Sequence, residues 1–295
     1  MRYAAIDIGS NAVRLLIADI IENNGSVSFK KNTLVRVPLR LGDDAFLQQR
    51  LSEKKSTDLI KTMQAFRNLM DVYKVADYMA YATSAMREAK NGPDIVKRIK
   101  EEANIDLEIV HGQKEAGMIY ASHADQNIDK NKNYLYVDVG GGSTELSLFS
   151  AGELLASKSF NIGTIRMLDN QDTEETWTEM KEFIRDNTRQ FKVISGIGTG
   201  GNINKLYRMS EEKDNAPLTF GKLKSLYTYL NSFSLKDRIN VLGLNMDRAD
   251  VIIPACEIYL TVMKCANIKN IYVPTVGLVD GIIQTLIEKN QPNSY

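Results

Sequence analysis

The sequence predicts an α/β protein built from two related domains. Two stretches carry that prediction: "DIGSNAVRL" at 7–15 and "DVGGGSTEL" at 138–146, each an Asp, an apolar residue, a Gly-containing turn and a return to alternation. The order of predicted elements also repeats, because each half reads strand, strand, strand, helix, strand, helix, strand, helix, with two further helices before the last strand of the second half. The same hairpin pattern thus occurs twice, each time at the start of a similar series of elements, which indicates the duplication of a single domain.

The elements of the first half follow from β-branched alternation and from helical spacing. Three alternating stretches predict a meander, "RYAAIDI" (2–8), "AVRLLIADII" (12–21) and "SVSFKKNTLVRVPL" (26–39). A helix is predicted over 52–73, where apolar residues recur at spacings of four, three and four. The rest of the half is predicted as a strand "DYMAYAT" (77–83), a helix from Pro93, a strand "DLEIV" (106–110) and a helix over 114–123.

The second half repeats this plan. Its meander is predicted at "NYLYVDVGG" (133–141), "STELSLFS" (143–150) and "ELLASKSF" (153–160). Asp172 and Glu175 are predicted to form a capping box that begins the next helix. The remaining elements are a strand "KVISGIG" (192–198), helices over 200–208, 219–233 and 247–266, a strand "NIYVP" (270–274) and a helix over 277–289.

The domain boundary is predicted in a polar stretch, "HADQNIDKNKN" (123–133), which is rich in Asn, Asp and Lys. The sequence therefore divides into domains at 1–124 and 125–295, with the last helix able to pack back on the first domain. No long apolar segment suggests an export signal or a membrane span, so we expect a cytoplasmic protein without a membrane partner.

Composition excludes some partners. Lys and Arg together number 37, as do Asp and Glu, so no overall field attracts a polyanion and any basic site must be local. The 13 Tyr residues are scattered and form no stacking platform, so we expect no nucleic acid polymer as a partner.

The two Gly-containing turns predict phosphate binding. A turn of small residues leaves backbone N–H groups accessible to phosphate oxygens. The Asp that precedes each turn is a suitable ligand for a Mg²⁺ ion that bridges phosphates. A single turn of this kind is equally explained as an ordinary hairpin turn, whereas two copies in a duplicated chain favour the phosphate interpretation.

Seven stretches in order along the chain resemble the motifs of one family. They are "AIDIGSNAVRLLIAD" (5–19), "ATSAMREAKN" (82–91), "GQKEAGMIY" (112–120), "VDVGGGSTEL" (137–146), "FNIGTIRM" (160–167), "GIGTGGNINKL" (196–206) and "RADVIIPACEI" (248–258). The chain resembles the exopolyphosphatase/guanosine pentaphosphate phosphohydrolase (Ppx/GppA) family, within the superfamily of actin, sugar kinases and heat-shock ATPases. The resemblance implies two actin-like (ribonuclease H-like) domains with a catalytic cleft between them, in the short two-domain form.

The resemblance also implies a reaction. A hydrolase of this family would release terminal orthophosphate from inorganic polyphosphate or from guanosine pentaphosphate, by attack of Glu-activated water with Mg²⁺ as cofactor, and the choice between the two substrates is left open. Two alternatives stay open: an ATP-dependent kinase or ATPase of the same superfamily, and a non-catalytic alarmone or polyphosphate sensor. A homodimer is also left open.

Roles carry over to individual residues through the matching motifs. Glu115 matches the catalytic Glu that activates water. The metal ligands implied are Asp138, Glu145 and Asp7. The substrate-binding residues implied are Gly9, Ser10, Asn11, Arg87, Gly140, Gly141, Gly142, Ser143, Gly198, Gly200 and Gly201, with Arg14 and Arg166 as weaker candidates.

Three positions depart from the family pattern. Lys114 stands before Glu115 where the family usually has a second acid, and a nearby cation would lower the pKa of Glu115. Asn202 stands where Thr is common. Val279 in "GLVDG" replaces a usual Arg, so we expect a less cationic distal channel, efficient cleavage of short chains, and a shift toward longer chains in Val279→Arg.

Overall fold

The computed structural model describes residues 1–23, 26–121, 129, 131–213, 215–274 and 277–291, without the side chains of 113, 116 and 119–121. Two compact units emerge from the packing, one of Met1–Gln126 with Val276–Tyr295 and one of Asn127–Thr275. Most of the polar stretch in which the boundary was predicted lies outside the described residues. None of the helices described is long and apolar enough to cross a membrane.

The first unit is a five-stranded sheet with helices. Its strands are β1 (Arg2–Ile8), β2 (Val13–Asn23), β3 (Ser26–Val37), β4 (Asp77–Ala82) and β5 (Glu108–Ile109), in the order β3-β2-β1-β4-β5. Its first helices are α1 (Leu41–Gln48), α2 (Glu53–Val72), α3 (Ser84–Glu88), α4 (Gly92–Ala103) and α5 (Gly112–Ala121). The strands of the meander are antiparallel, and β4 runs parallel to β1. The Ser52 side chain accepts a hydrogen bond from the Lys55 amide, which is why α2 begins where the sequence predicts.

The second unit repeats this topology. Its strands are β6 (Asn133–Val139), β7 (Thr144–Ser150), β8 (Glu153–Phe160), β9 (Ser195–Thr199), β10 (Leu218–Thr219) and β11 (Asn270–Tyr272), in the order β10-β11-β9-β6-β7-β8. Its helices are α6 (Thr164–Leu168), α7 (Glu174–Thr188), α8 (Gly201–Ser210), α9 (Phe220–Asn231), α10 (Leu235–Asn240), α11 (Met246–Ala249) and α12 (Ile252–Cys265). The order β8-β7-β6-β9-β11 matches β3-β2-β1-β4-β5, which confirms the predicted duplication and the α/β class.

The last helix, α13 (Leu278–Asn290), packs in the first unit. Its buried face joins a hydrophobic cluster with residues of β1, β2 and α5, including Tyr3, Leu16 and Met118. The first unit therefore has a core to which both ends of the chain contribute.

Two details differ from the sequence prediction. Helix α7 is capped by Thr173, whose hydroxyl accepts from the Thr176 amide, while Asp172 accepts a hydrogen bond from the Trp177 indole. The helix predicted over 247–266 is divided into α11 and α12. Pro254 explains the break, because a proline has no N–H to donate to residue 250 and its ring clashes there.

Candidate functional site

The hairpin of the second unit places two carboxylates side by side. In the register of β6 and β7, Asp138 lies directly opposite Glu145, which is 4% exposed. One carboxylate oxygen of Asp138 lies within 4.8 Å of a carboxylate oxygen of Glu145. Like charges directly opposite each other in a sheet repel, so a proton or a cation is needed to stabilise the pair.

Oxygen-bearing side chains extend this pair into a row across four strands. Thr199 of β9 lies opposite Asp138, and Ser159 of β8 lies opposite Glu145. Partners in register share one face of a sheet. The Thr199 side chain is 1% exposed, and its hydroxyl has no hydrogen-bond partner among the described residues. A buried hydroxyl beside two carboxylates is a donor set that fits a hard divalent cation.

The Gly-rich turn that follows Asp138 is held by its carbonyl groups. Gly140 accepts from the Thr164 amide at 3.0 Å, and Gly141 accepts from the Ile165 amide at 2.8 Å. Within the described part of the chain, no acceptor takes the N–H groups of residues 141–143. The turn therefore presents backbone donors, as a phosphate cradle requires.

Two residues of "FNIGTIRM", Gly163 and Arg166, pack against this turn. A Cβ at Gly163 would lie 2.4 Å from the Gly141 oxygen, so only glycine permits this approach. The Arg166 side chain is 6% exposed, and its Nε donates to the Gly142 oxygen at 2.8 Å. The family resemblance offered Arg166 as a candidate for substrate binding, whereas in the structure its side chain supports the turn.

The loop after β9 packs closely on Asp138. Gly200 has φ of +97°, and a Cβ there would lie 2.8 Å from Asp138 Oδ1. The sequence did not single out Tyr259, whose buried hydroxyl donates to the Thr199 carbonyl at 2.8 Å. Burial raises the pKa of Tyr259, so the hydroxyl stays protonated and keeps this bond. The feature of the sequence that could have pointed to Tyr259 is its position directly after the motif "RADVIIPACEI".

Other parts of this loop have structural explanations. A Cβ at Gly198 would lie 2.9 Å from Ile271 and 3.0 Å from Ile203, so packing alone accounts for this glycine. Asn202 accepts a hydrogen bond from Arg248, whose guanidinium also covers Gly201. The Asn that replaces the usual Thr is thus an acceptor for a neighbouring arginine.

The first unit has a different pair at the equivalent hairpin. Asp7 lies opposite Arg14 in the register of β1 and β2, and Arg14 Nη1 contacts Asp7 Oδ2 at 2.5 Å. Burial raises the pKa of Asp7, and the Arg14 charge acts in the opposite direction. The acid of the first hairpin is therefore already matched by a fixed cation.

The first turn is tied to neighbouring helices. The Gly9 amide donates to the Ala12 oxygen at 3.1 Å and closes the turn. The Ser10 hydroxyl lies 2.8 Å from that of Ser84, at the start of α3, and Asn11 accepts from the Arg40 amide at 2.9 Å. These contacts fix the backbone of residues 9–11.

Glu115 lies in the first turn of α5 and is 8% exposed. Arg87 of α3 contacts the segment just before this helix, where its Nη1 donates to the Val110 oxygen at 2.9 Å. Lys114 pairs with Glu108 at 2.7 Å and lies 4.7 Å from the centre of the Tyr81 ring. The carboxylate partner of Lys114 in the structure is thus Glu108, which raises the pKa of the lysine.

Helix α5 rests on α13 at a glycine. A Cβ at Gly281 would lie only 2.0 Å from the Met118 backbone oxygen. Val279, on the same helix, is 7% exposed and belongs to the hydrophobic cluster of the first unit. The expectation that Val279 lines a substrate channel is therefore corrected: an apolar residue is needed there for packing.

Known proteins resemble the chain along most of its length. A phosphatase from Fusobacterium nucleatum, "Bifunctional 3-dehydroquinate synthase/phosphatase", is 28% identical over 273 residues, which are 85% of this chain and 41% of that protein. The chain thus spans less than half of that relative. "Exopolyphosphatase 1" of Mycobacterium tuberculosis is 23% identical, with 96% of this chain and 87% of that protein covered.

Two further comparisons concern a nucleotide pyrophosphatase and a solved structure. "Guanosine-5'-triphosphate,3'-diphosphate pyrophosphatase" of Aliivibrio fischeri is 23% identical, over 98% of this chain and 60% of that protein. The crystal structure of an exopolyphosphatase from Cytophaga hutchinsonii is 25% identical, covers 98% of both chains and superposes with a TM-score of 0.85. The model of the Ppx/GppA phosphatase family matches residues 21–290, and the chain belongs to that family.

Proposed function

We propose that the protein hydrolyses terminal phosphoanhydride bonds of inorganic polyphosphate, and also of guanosine pentaphosphate, with Mg²⁺. Membership of a phosphatase family supports a hydrolase, and the names of the mycobacterial and Aliivibrio relatives support these two substrates. The cytoplasmic location and the homodimer stay predictions from the sequence.

One observation carries the proposal: a pair of opposed carboxylates stands beside a turn that presents backbone donors. Asp138 and Glu145 provide oxygens for a hard cation, and residues 141–143 provide N–H groups for phosphate oxygens. Bound at these carboxylates, Mg²⁺ would neutralise charge on the substrate phosphates. The fixed Arg14 beside Asp7 favours Asp138 and Glu145 over Asp7 as the cation ligands.

Glu115 is assigned the role of general base. A buried carboxylate in the first turn of a helix keeps a proton acceptor out of bulk water. In the proposal it takes the proton of a water that attacks the terminal phosphorus in line, while Arg87 and the turn at residues 9–11 bind phosphate oxygens. The leaving group is the shortened chain.

The experiment compares phosphate release from long-chain polyphosphate, guanosine pentaphosphate and ATP by the full chain with Mg²⁺. We expect release from the first two, and a fall of about 10²–10⁴ in kcat for Glu115→Gln with substrate binding retained. Glu101→Gln is the matched control, because Glu101 is an exposed glutamate on α4 and should leave kcat unchanged.

The outcomes separate the alternatives. Transfer of phosphate from ATP to an acceptor, without polyphosphate hydrolysis, would replace the proposal by a kinase. Tight polyphosphate binding without turnover would replace it by a sensor. A Glu115→Gln variant with at least half of the wild-type kcat would remove Glu115 from the reaction.

A further inference from the structure

Glu145 has a hydroxyl donor on its far side. It lies in β7, with Asp138 opposite on β6 and Ser159 opposite on β8. The Ser159 Oγ and Glu145 Oε1 atoms are 2.7 Å apart. An ionised carboxylate can only accept, so the serine hydroxyl is the donor.

This hydrogen bond determines where the carboxylate oxygens lie. A glutamate side chain has three rotatable bonds, and repulsion from Asp138 favours rotamers that move Glu145 away from the pair. A donor that holds Oε1 restrains the terminal torsion and so keeps both oxygens in place. Partners of this kind orient metal-binding carboxylates, and their loss typically lowers metal affinity about 10–100-fold.

We propose that Ser159 is a positioning residue that holds Glu145 in the orientation required for cation binding. The inference rests on the cation site of the proposed function and adds a residue to it that none of the seven motifs contains. Ser159 contacts neither substrate nor cation in this proposal and acts through Glu145 alone.

The chain offers a matched control two residues away. Ser157 and Ser147 are paired in the same two strands, with their hydroxyl oxygens 2.8 Å apart. Residues two apart in a strand share a face, so Ser157→Ala removes the same group from the same strand and face. It differs from Ser159→Ala in that no carboxylate loses a donor.

The test measures Mn²⁺ binding to the full chain without substrate, by electron paramagnetic resonance of free Mn²⁺. We expect Ser159→Ala to weaken Mn²⁺ binding about 10–100-fold, while Ser157→Ala binds as wild type. Ser159→Thr restores a hydroxyl on a side chain that suits a strand and should recover most of the affinity. In the phosphate-release assay, Ser159→Ala should need more Mg²⁺ for half-maximal rate and regain kcat at saturation.

The outcomes distinguish this inference from the function on which it rests. Wild-type Mn²⁺ affinity in Ser159→Ala would overturn the positioning role and leave the cation site standing. Equal losses in the two Ala variants would show a general effect on the strand and would also overturn it. A wild-type chain that binds no Mn²⁺ would overturn the cation site itself, and the positioning role with it.

Discussion

The contact between α13 and α5 predicts a large effect of adding one methyl group at Gly281. A Cβ at this position would lie 2.0 Å from the Met118 oxygen and 2.5 Å from its carbonyl carbon. Side-chain Cβ atoms do not approach other heavy atoms closer than 3.0 Å, so the two helices must separate by about 3.0 − 2.0 = 1.0 Å. The obstacle is backbone, which cannot rotate away as a flexible side chain would.

The displacement reaches the proposed base. Glu115 precedes Met118 by 118 − 115 = 3 residues, less than one turn of the same helix, so the two move together. Overpacking of this kind costs about 1–3 kcal/mol of unfolding free energy. A misplacement of about 1 Å in a reacting group can cost about 10²-fold in rate. We therefore expect Gly281→Ala to lower kcat by about 10–100-fold, beyond what its loss of stability explains.

The assay is phosphate release from polyphosphate at a temperature where the variant is fully folded, with thermal unfolding measured in parallel. Gly117→Ala is the control, because Gly117 is an exposed glycine on α5 and no atom of the described residues lies within 4 Å of the position that a Cβ would occupy. This variant should keep kcat and gain about 0.5–1 kcal/mol from the better helix propensity of Ala. Wild-type kcat and unfolding temperature in Gly281→Ala would refute the reasoning.

Two further predictions test the carboxylate pair and the corrected role of Val279. Asp138→Asn should raise the Mg²⁺ concentration for half-maximal rate, because an amide binds a hard cation less well than a carboxylate; an unchanged Mg²⁺ titration would contradict the assignment. Val279→Arg should lower the unfolding free energy by about 3–5 kcal/mol, because it places an uncompensated charge in an apolar cluster. Denaturant unfolding measures this loss. The control is Val72→Arg, because Val72 on α2 is 77% exposed and the substitution there should leave the unfolding free energy nearly unchanged. Equal unfolding free energies of the two arginine variants would contradict the burial of Val279 and indicate that its side chain faces solvent.

Local patterns were enough to predict most regular elements. Both hairpins and the start of α2 at Ser52 were predictable because alternation and capping depend on residues close in sequence. Helices α1, α3, α6 and α10 were missed, since none exceeds eight residues and so short a segment shows no clear periodicity. The paired Asp138 and Glu145 were predictable together, because the hairpin turn fixes their register.

Tertiary requirements were not visible in the same way. Gly163 must be a glycine because of Gly141, which lies 22 residues earlier in the chain, and Gly281 must be one because of Met118, which lies 163 residues earlier. Arg166 carries a charge that suggests phosphate binding, yet burial under the turn gives its Nε a carbonyl partner. Val279 shows the reverse case, because comparison with a usual arginine suggested a channel where the packing of α13 requires an apolar side chain.

The duplicated hairpins have diverged in the source of their positive charge. The first places Arg14 opposite Asp7, so the acid is neutralised by a side chain that cannot lose its proton in a protein. The second places Glu145 opposite Asp138, so the same position adds a negative charge instead of removing one. Glu145 is 4% exposed and Asp138 is partly buried, so bulk water and dissolved salt screen their repulsion only weakly. In the proposed function a bound cation supplies the positive charge at this pair, so the second hairpin, and not the first, carries the expected dependence on Mg²⁺.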